Sequence, residues 1–340
     1  MSTKLPDYKS QPTMKDVAKL AGVSQSTVSF VLNDVAEVSI GADTRKRVLD
    51  AAQRLDYRSR RRGLSAGPSS TPVIGFIVDE IATSPFAAIT IEGAQEVAWR
   101  HGYILEVVMT GEDREYESAA IRKWIAQAKD VTGIIYCSIL TRSVTPPKEL
   151  GQTRCVLVNC HSAQTAFPAV LPSEVLGGFA ATEALIHKGY QRIAFIGGEM
   201  WMEASRDRLA GYRNALSTHN IPVRPELIKE GNFLPGGGYQ QTLALLAQEK
   251  KPDAIFCSND LTAIGCYEAL KERRMQIPDD VAVMGYDDQE IAQHLNPSLS
   301  TVLLPHREMG QWAVDYLLSP PSNLSRQFKL ECPLVLRESI

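Results

Sequence analysis

Ser24, Gln25, Ser26, Thr27, Ser29 and Phe30 crowd one short stretch of the chain. Hydroxyls and a carboxamide at this density suit hydrogen bonding to base edges and phosphates, and a Gln can pair bidentately with adenine. Such groups need an element that holds them outward. Ser24 is a good cap for a helix whose inward face would be Val28, Val31 and Leu32, leaving the other five facing away. Ahead of it, Thr13 with Asp16 three residues on reads as a capping box. Val17, Leu20 and Ala21 then recur at helical spacing, and Gly22 permits a sharp exit. Two short helices joined by a turn, the second exposed and polar, match what a major groove accepts as a recognition helix. An ordinary structural hairpin of helices is the alternative.

Charge favours the first reading. The chain has 36 Lys+Arg against 39 Asp+Glu, a net of -3, which alone argues against nucleic acid. Residues 1–67 nevertheless hold 12 Lys+Arg against 7 Asp+Glu, while the remainder holds 24 against 32. Basic charge confined to one terminal module supplies salt-sensitive attraction to phosphates. Arg58, Arg60, Arg61 and Arg62 form its densest run. A third helix through RKRVLDAAQRLDY, capped by Asp43 or Thr44, would complete the module with Val48, Ala52 and Leu55 on one stripe. RSRRRGLSAGPSST, residues 58–71, then reads as a linker.

The remaining residues have another texture. Short apolar runs alternate with helix-length segments: VIGFIV (73–78), ILEVVM (104–109), GIIYC (133–137), CVLVN (155–159), RIAFIGG (192–198), AIFCSND (254–260) and VAVMGYDD (281–288). Such runs predict buried parallel strands in an α/β fold. They are numerous enough for two doubly wound sheets with a cleft between them. Ligands in such sheets sit beyond the carboxyl ends of the strands. Ser84-Pro85-Phe86, Asn159, Gly197-Gly198, Asn259-Asp260 and Asp287-Asp288 all fall there.

Other classes are disfavoured. No run of 18 apolar residues exists, and MSTKLPDYKSQPT lacks the apolar core of a signal peptide, so a cytoplasmic location and no membrane contact are expected. Six cysteines without CxxC spacing read as buried hydrophobes, not a disulfide framework or zinc site. HExxH, GxSxG and phosphate-loop motifs are missing, so no enzyme is expected, nor any catalytic residue, cofactor or metal. His161, His187 and His294 stand isolated in the sequence.

DVAKLAGVSQSTVSFVLN, VSIGADTRKRVLDAAQRLDY, IGFIVDEIATSPF, HKGYQRIAFIGG, DRLAGYRNAL, PDAIFCSNDLTAIG, VAVMGYDDQEIA and LVLRESI follow one another from Thr13 to Ile340. In kind and order these blocks resemble the lactose-repressor (LacI/GalR) family of bacterial transcription regulators. The resemblance implies an α/β fold of two lobes, like periplasmic sugar-binding proteins, preceded by a small all-α helix-turn-helix domain. It also implies a homodimer on a pseudo-palindromic double-stranded operator, acting as a repressor whose grip is set by a small-molecule effector, carbohydrate first and purine second. A sugar-binding receptor is the reading from another class; it would need a signal peptide and no helix-turn-helix. The expected domains are 1–57 (DNA binding), 58–72 (hinge) and 73–340 (effector binding and dimerisation). Within the last, one lobe would hold about 73–160 plus 290–320, and the other about 161–289 plus the C-terminal strands. With no heptad tail after LVLRESI, assembly beyond a dimer is not expected.

Carried over, the DNA-contacting set is Thr13, Gln25, Ser26, Thr27, Phe30, Asn33, Arg58, Arg60, Arg61 and Leu64. Gln25, Ser26 and Phe30 read bases, with Thr27 and Asn33 nearer phosphates. Phe30 departs from the family's usual arginine, and a two-residue lengthening falls between Val38 and Thr44. The family's minor-groove leucine falls on Ala66. Either Leu64 takes that role in a shifted hinge, or the arginines carry more of the contact. The effector-binding set is Phe86, Asn159, Arg208, Phe233, Asn259 and Asp287. Polar planes for hydroxyls and aromatic faces for C–H surfaces suit a sugar. Taken alone, Asn259 or Asp287 could instead be a helix cap and Arg208 a surface ion-pair partner.

Overall fold

The structure, a computed structural model of the full chain, describes residues 13–32, 40–55, 71–82, 85–127, 131–164, 167–320 and 326–340. Residues 1–71 and 72–340 form two compact units. Asn33, Arg58, Arg60, Arg61, Leu64 and Ala66 lie outside the described residues, as does the side chain of Phe30.

The first unit contains three helices, α1 (Met14–Ala21), α2 (Gln25–Leu32) and α3 (Ala42–Arg54). The backbone N–H and hydroxyl of Thr13 both donate to Oδ2 of Asp16, at 2.8 and 2.7 Å, fixing the start of α1. Those bonds hold the exposed Asp16 carboxyl below its usual pKa. Gly22 ends α1 in the left-handed region (φ 65°), where a residue without Cβ is favoured. Ser24 Oγ then accepts from the Thr27 N–H at 3.1 Å and caps α2. Val17, Ala18, Ala21, Val28, Val31, Val48, Ala51 and Ala52 form the core. Two expectations need correction. Leu20 is 46% exposed, because Ala18 occupies the inward stripe in its place. The third helix begins at Ala42, ahead of the expected caps, so Asp43 and Thr44 lie in its first turn.

The second unit alternates strands and helices in the order β1 (Val73–Val78), α4 (Pro85–Arg100), β2 (Ile104–Met109), α5 (Arg114–Ala126), β3 (Val131–Ser143), β4 (Cys155–His161), β5 (Ala169–Pro172), α6 (Glu174–His187), β6 (Ile193–Gly197), α7 (Glu203–Thr218), β7 (Ile228–Glu230), α8 (Pro235–Leu246), β8 (Ala254–Cys257), α9 (Asp260–Glu272), β9 (Ala282–Met284), β10 (Thr301–Val302), α10 (His306–Leu318), β11 (Gln327–Leu330) and β12 (Leu334–Val335). One parallel sheet has the order β11-β5-β4-β3-β1-β2 and the other β7-β6-β8-β9; β10 and β12 pair antiparallel beside the second. Each sheet buries both faces. In the first lobe α4 and α10 cover one side, around Phe76, Ala94 and Met309. Ile121 and Trp124 of α5 cover the other. In the second, α6 and α7 pack around Phe195 and Tyr212, and α8 and α9 around Ile255 and Leu270. Burial on both faces explains why the inner strands read as unbroken apolar runs. ILEVVM departs from that expectation: as edge strand β2 it leaves Ile104 and Met109 nearly half exposed.

The lobes are divided differently from the expectation. Residues 169–172 and 327–330 join the first sheet, so 161–172 and one C-terminal strand belong to the first lobe. Residues 290–304 stay with the second, through the Met284–Ser300 and Asp287–Leu303 bridges. The chain therefore crosses between lobes three times: after β5, between β10 and α10, and between β11 and β12. No helix among the described residues is long and apolar enough to cross a membrane.

Candidate functional site

On the first unit, Gln25 and Ser26 are exposed and Thr27 half-buried at the start of α2. The Ser24 hydroxyl lies 2.8 Å from those of both Ser26 and Thr27. Ser26 and Thr27 are thereby tied to the cap, while the Gln25 carboxamide projects from the first helical position. Thr13 stands exposed at the start of α1. Arg47, from α3, donates to the Ala21 carbonyl at 3.3 Å and closes the C-terminal end of α1. The short helix pair is thus pinned at its turn from both sides.

The second unit gathers its chemistry around Arg208 of α7, only 4% exposed. Its Nε and Nη2 donate to the two carboxylate oxygens of Glu174 at 2.8 and 2.9 Å, a bidentate clamp. Nη1 donates to the Ser258 carbonyl at 2.5 Å and to Asp287 Oδ1 at 3.3 Å. The guanidinium lies 3.8 Å from the Tyr286 ring centroid and 5.8 Å from that of Phe233. Burial would lower the Arg208 pKa, but Glu174 and Asp287 more than reverse that, so it stays charged. Asp287 is pushed well above the usual carboxylate range, first by burial and further by the nearby Asp260 and Glu174 carboxyls, although Arg208 opposes this. One cation between two buried acids cannot fully stabilise both.

Arg208 is therefore no surface partner, and Asp287 is no helix cap. Asn259 is one: its Oδ1 accepts from the Thr262 N–H at 2.8 Å at the start of α9. Its Nδ2 donates to the Phe233 carbonyl at 3.0 Å, so it also positions Phe233. A Cβ on Gly198 would overlap the Phe233 ring, which is why glycine follows β6. Asn159, at the end of β4, donates to the Ser138 carbonyl at 3.0 Å and accepts from the Thr141 hydroxyl at 2.7 Å. Asn159 (φ 55°), Phe233 (φ 58°) and Asp287 (φ 111°) all occupy the left-handed half of backbone space. Non-glycine residues held there cost of order 1–3 kcal/mol each and concentrate at binding sites.

From the first lobe, Phe86 of α4 stacks on His306 of α10, with centroids 4.7 Å apart. His306 is buried, and its Nε2 has no hydrogen-bond partner among the described residues. Burial, and secondarily Arg208, pushes its pKa down to about 3. Arg208, Asp287, Phe233 and Asn259 thus come together on the second lobe, whereas Phe86 and Asn159 sit on the first. Glu203 joins the lobes: its carboxylate accepts from the Ser143 N–H at 3.1 Å and meets His161 Nε2 at 3.0 Å. His161 is therefore not isolated.

Sequence reasoning missed Glu174, Tyr286, His306 and Glu203. Glu174 and Glu203 look like ordinary first-turn acids of their helices, and a lone His after Pro305 carries no motif. Trp201 is 65% exposed, while Met200 packs against the core of its lobe.

A helix-turn-helix with an outward polar second helix, followed by two parallel-sheet lobes around a buried Arg–carboxylate–aromatic cluster, defines a DNA-binding transcriptional regulator with an effector domain. The model of the bacterial regulatory proteins of the lacI family matches residues 13–59, and that of the periplasmic binding protein-like domain matches 182–340. The ribose operon repressor of Haemophilus influenzae is 34% identical over 331 residues, covering 96% of this chain and 98% of that protein. The HTH-type transcriptional repressor PurR of Vibrio campbellii is 32% identical over 336 residues, with the same coverage. Among solved structures, the lac repressor dimer bound to operator and the anti-inducer ONPF is similar at a TM-score of 0.66 and 28% identity, covering 97% of this chain and 99% of that one. A complex of the transcriptional regulator CelR with cellobiose gives 0.63 and 28%, covering 96% and 99%. The chain belongs to the LacI family of transcriptional regulators; it is a DNA-binding regulator, not an enzyme.

Proposed function

We propose that the protein represses transcription in the cytoplasm as a homodimer on a pseudo-palindromic operator, and that a sugar bound beside Arg208 loosens its grip on DNA. The observation that carries the effector reading is the buried Arg208 guanidinium held between Glu174 and Asp287 and faced by Tyr286 and Phe233. Charged groups fixed in place supply directional bonds to hydroxyls, and the rings supply apolar faces. Phe86, Asn159, Asn259, Phe233, Arg208 and Asp287 form the proposed effector set. Phe86 contacts the ligand from the opposite lobe, and Asn259 acts by positioning Phe233.

On DNA, Gln25 and Ser26 read bases and Thr27 lies toward the phosphates, as their exposure at the start of α2 supports. Thr13 meets the backbone at the N-terminus of α1. The basic run around Arg58, Arg60 and Arg61 supplies further phosphate contact, with Phe30, Asn33 and Leu64 completing the set. Two-fold symmetry then requires two half-sites about one helical turn apart.

A purine corepressor is the second reading. It is favoured by the flat Phe86–His306 stack, which suits a heterocycle, and by relatives named PurR. A thermal-shift screen of sugars, sugar phosphates and purines, followed by operator anisotropy titrations with each hit, separates the two. A sugar that weakens operator binding supports the first reading; a purine that tightens it replaces that reading with the second.

A further inference from the structure

Glu183, His187 and His219 have no part in either site described above. Glu183 and His187 are four residues apart in the last turn of α6 and so share one face. His219 is the C-cap of α7, the helix packed alongside. A ligand atom from each of the three lies within 4.8 Å of the others. His219 Nε2 is 3.0 Å from Glu183 Oε1, and the two imidazoles meet edge to face with centroids 5.4 Å apart. Glu183 and His219 are part-buried, with side chains 33% and 26% exposed, and so are restrained by packing, while His187 opens to solvent.

We propose that these three residues bind a divalent transition-metal ion, with zinc the fitting species. Two imidazoles and a carboxylate are a borderline donor set suited to zinc and its neighbours, not to magnesium or calcium. Ligands at about 2.0–2.1 Å from a tetrahedral zinc lie about 3.3 Å apart. The Glu183–His219 separation of 3.0 Å is close to a coordinating one, and the exposed His187, whose ligand atom lies within 4.8 Å of both, would move in to complete the set. A solvent molecule takes the fourth position on the open side. A second, independent feature points the same way. His187 ends α6 and His219 caps α7, so two helix C-termini present their carbonyl ends toward one place, where a cation is favoured. The ion would tie together the ends of α6 and α7 remote from Glu174 and Arg208, which face each other near the starts of the same helices.

The test uses the full chain without an affinity tag, stripped with chelator and exchanged into chelator-free buffer at pH 7.5. Zinc retained after equilibrium dialysis is counted, and Tm is measured with and without added Zn²⁺. The expected result is one zinc per chain and a raised Tm. His219→Ala and His187→Ala should bind at least about tenfold more weakly and lose the Tm rise, and Glu183→Gln should lose about tenfold while keeping both imidazoles. All four proteins should melt alike in chelator; Glu183→Gln carries the test should either alanine variant fold poorly. A wild-type protein that retains no zinc, or a Glu183→Gln variant that binds as tightly as wild type, overturns the proposal.

Discussion

Phe86 lies face to face with His306, their planes 23° apart, so that an imidazole with a pKa near 3 forms part of an aromatic wall. Its ordinary pKa is 6.5, and the folded protein therefore holds it neutral where the unfolded chain would take up a proton. Stability from this group is complete above pH 6.5 and drains away as pH falls below it, by about 2 kcal/mol at pH 5. His306→Phe keeps the stack and removes the titration. Its Tm should fall less than that of wild type between pH 7.5 and pH 5 in parallel melts. An unchanged acid slope would put the proton uptake elsewhere.

Asp287→Asn leaves Arg208 clamped by Glu174, so the lobe should fold, yet an acid of the proposed effector set is gone. Operator binding without effector is expected to match wild type, and effector response to lose most of a coupling of about 1–3 kcal/mol. Arg208→Ala is harsher: it strands two buried carboxylates, at a cost of about 3–5 kcal/mol. Anisotropy titrations read the first effect and urea melts the second. A fully responsive Asp287→Asn variant would remove that residue from the effector site.

Glu203 bridges the lobes through Ser143 and His161, none of the three fully buried. Glu203→Ala removes the bridge without leaving a deeply buried group. The pair is part-exposed, so its contribution is modest, about 0.5–1.5 kcal/mol. Effector affinity, measured by calorimetry, should drop several-fold, with little change in Tm. Tighter binding in the variant would mean that the bridge opposes closure.

Gly211 is where α7 crosses α6: a Cβ there would meet the backbone of Val175 and Phe179. Neither neighbour can yield without moving the helix that carries Glu174. Gly211→Ala should cost about 1–3 kcal/mol by overpacking and loosen the Glu174–Arg208 clamp. Loss of effector binding accompanied by a lowered Tm is the expected pair of readings.

Gln25→Ala should relax choice at one base pair of each half-site, by about 1–3 kcal/mol, without flattening the salt dependence of binding. Selection from a randomised operator library reports the first and titrations at several salt concentrations the second. A variant that weakens equally on every sequence would make Gln25 a phosphate contact.

The inner strands were legible because burial on both faces leaves them no reason to alternate; VIGFIV and CVLVN are examples. AVLP and QFKL were not, since four residues with a proline or two polar side chains look like loop. Those two strands are the ones that assign 169–172 and 327–330 to the first lobe, so misplacing them misplaced the lobe boundaries. At the site, the family resemblance led to Arg208 and Asp287. It did not lead to Glu174, whose pairing with Arg208 is set by the α6–α7 crossing, a relation between residues 34 apart. Leu20 followed the helical period yet faces solvent, because a three-helix core this small is filled by Ala18.

The three crossings between lobes bear on how the chain acquires its shape as it leaves the ribosome. Among the described residues, the core of the helix-turn-helix unit is made by Leu55, so this unit can close early. The first lobe cannot: Met309, Ala313 and Val314 of α10 fill its core, and β11 completes its sheet, long after β1 has emerged. Until then α4 lacks the helix it packs against, and β5 remains an open edge. The second lobe waits likewise for β12 and Ile340. Both halves of the effector domain must therefore finish folding together once α10, β11 and β12 have emerged, and until then a DNA-reading module is tethered to an unfinished sensor.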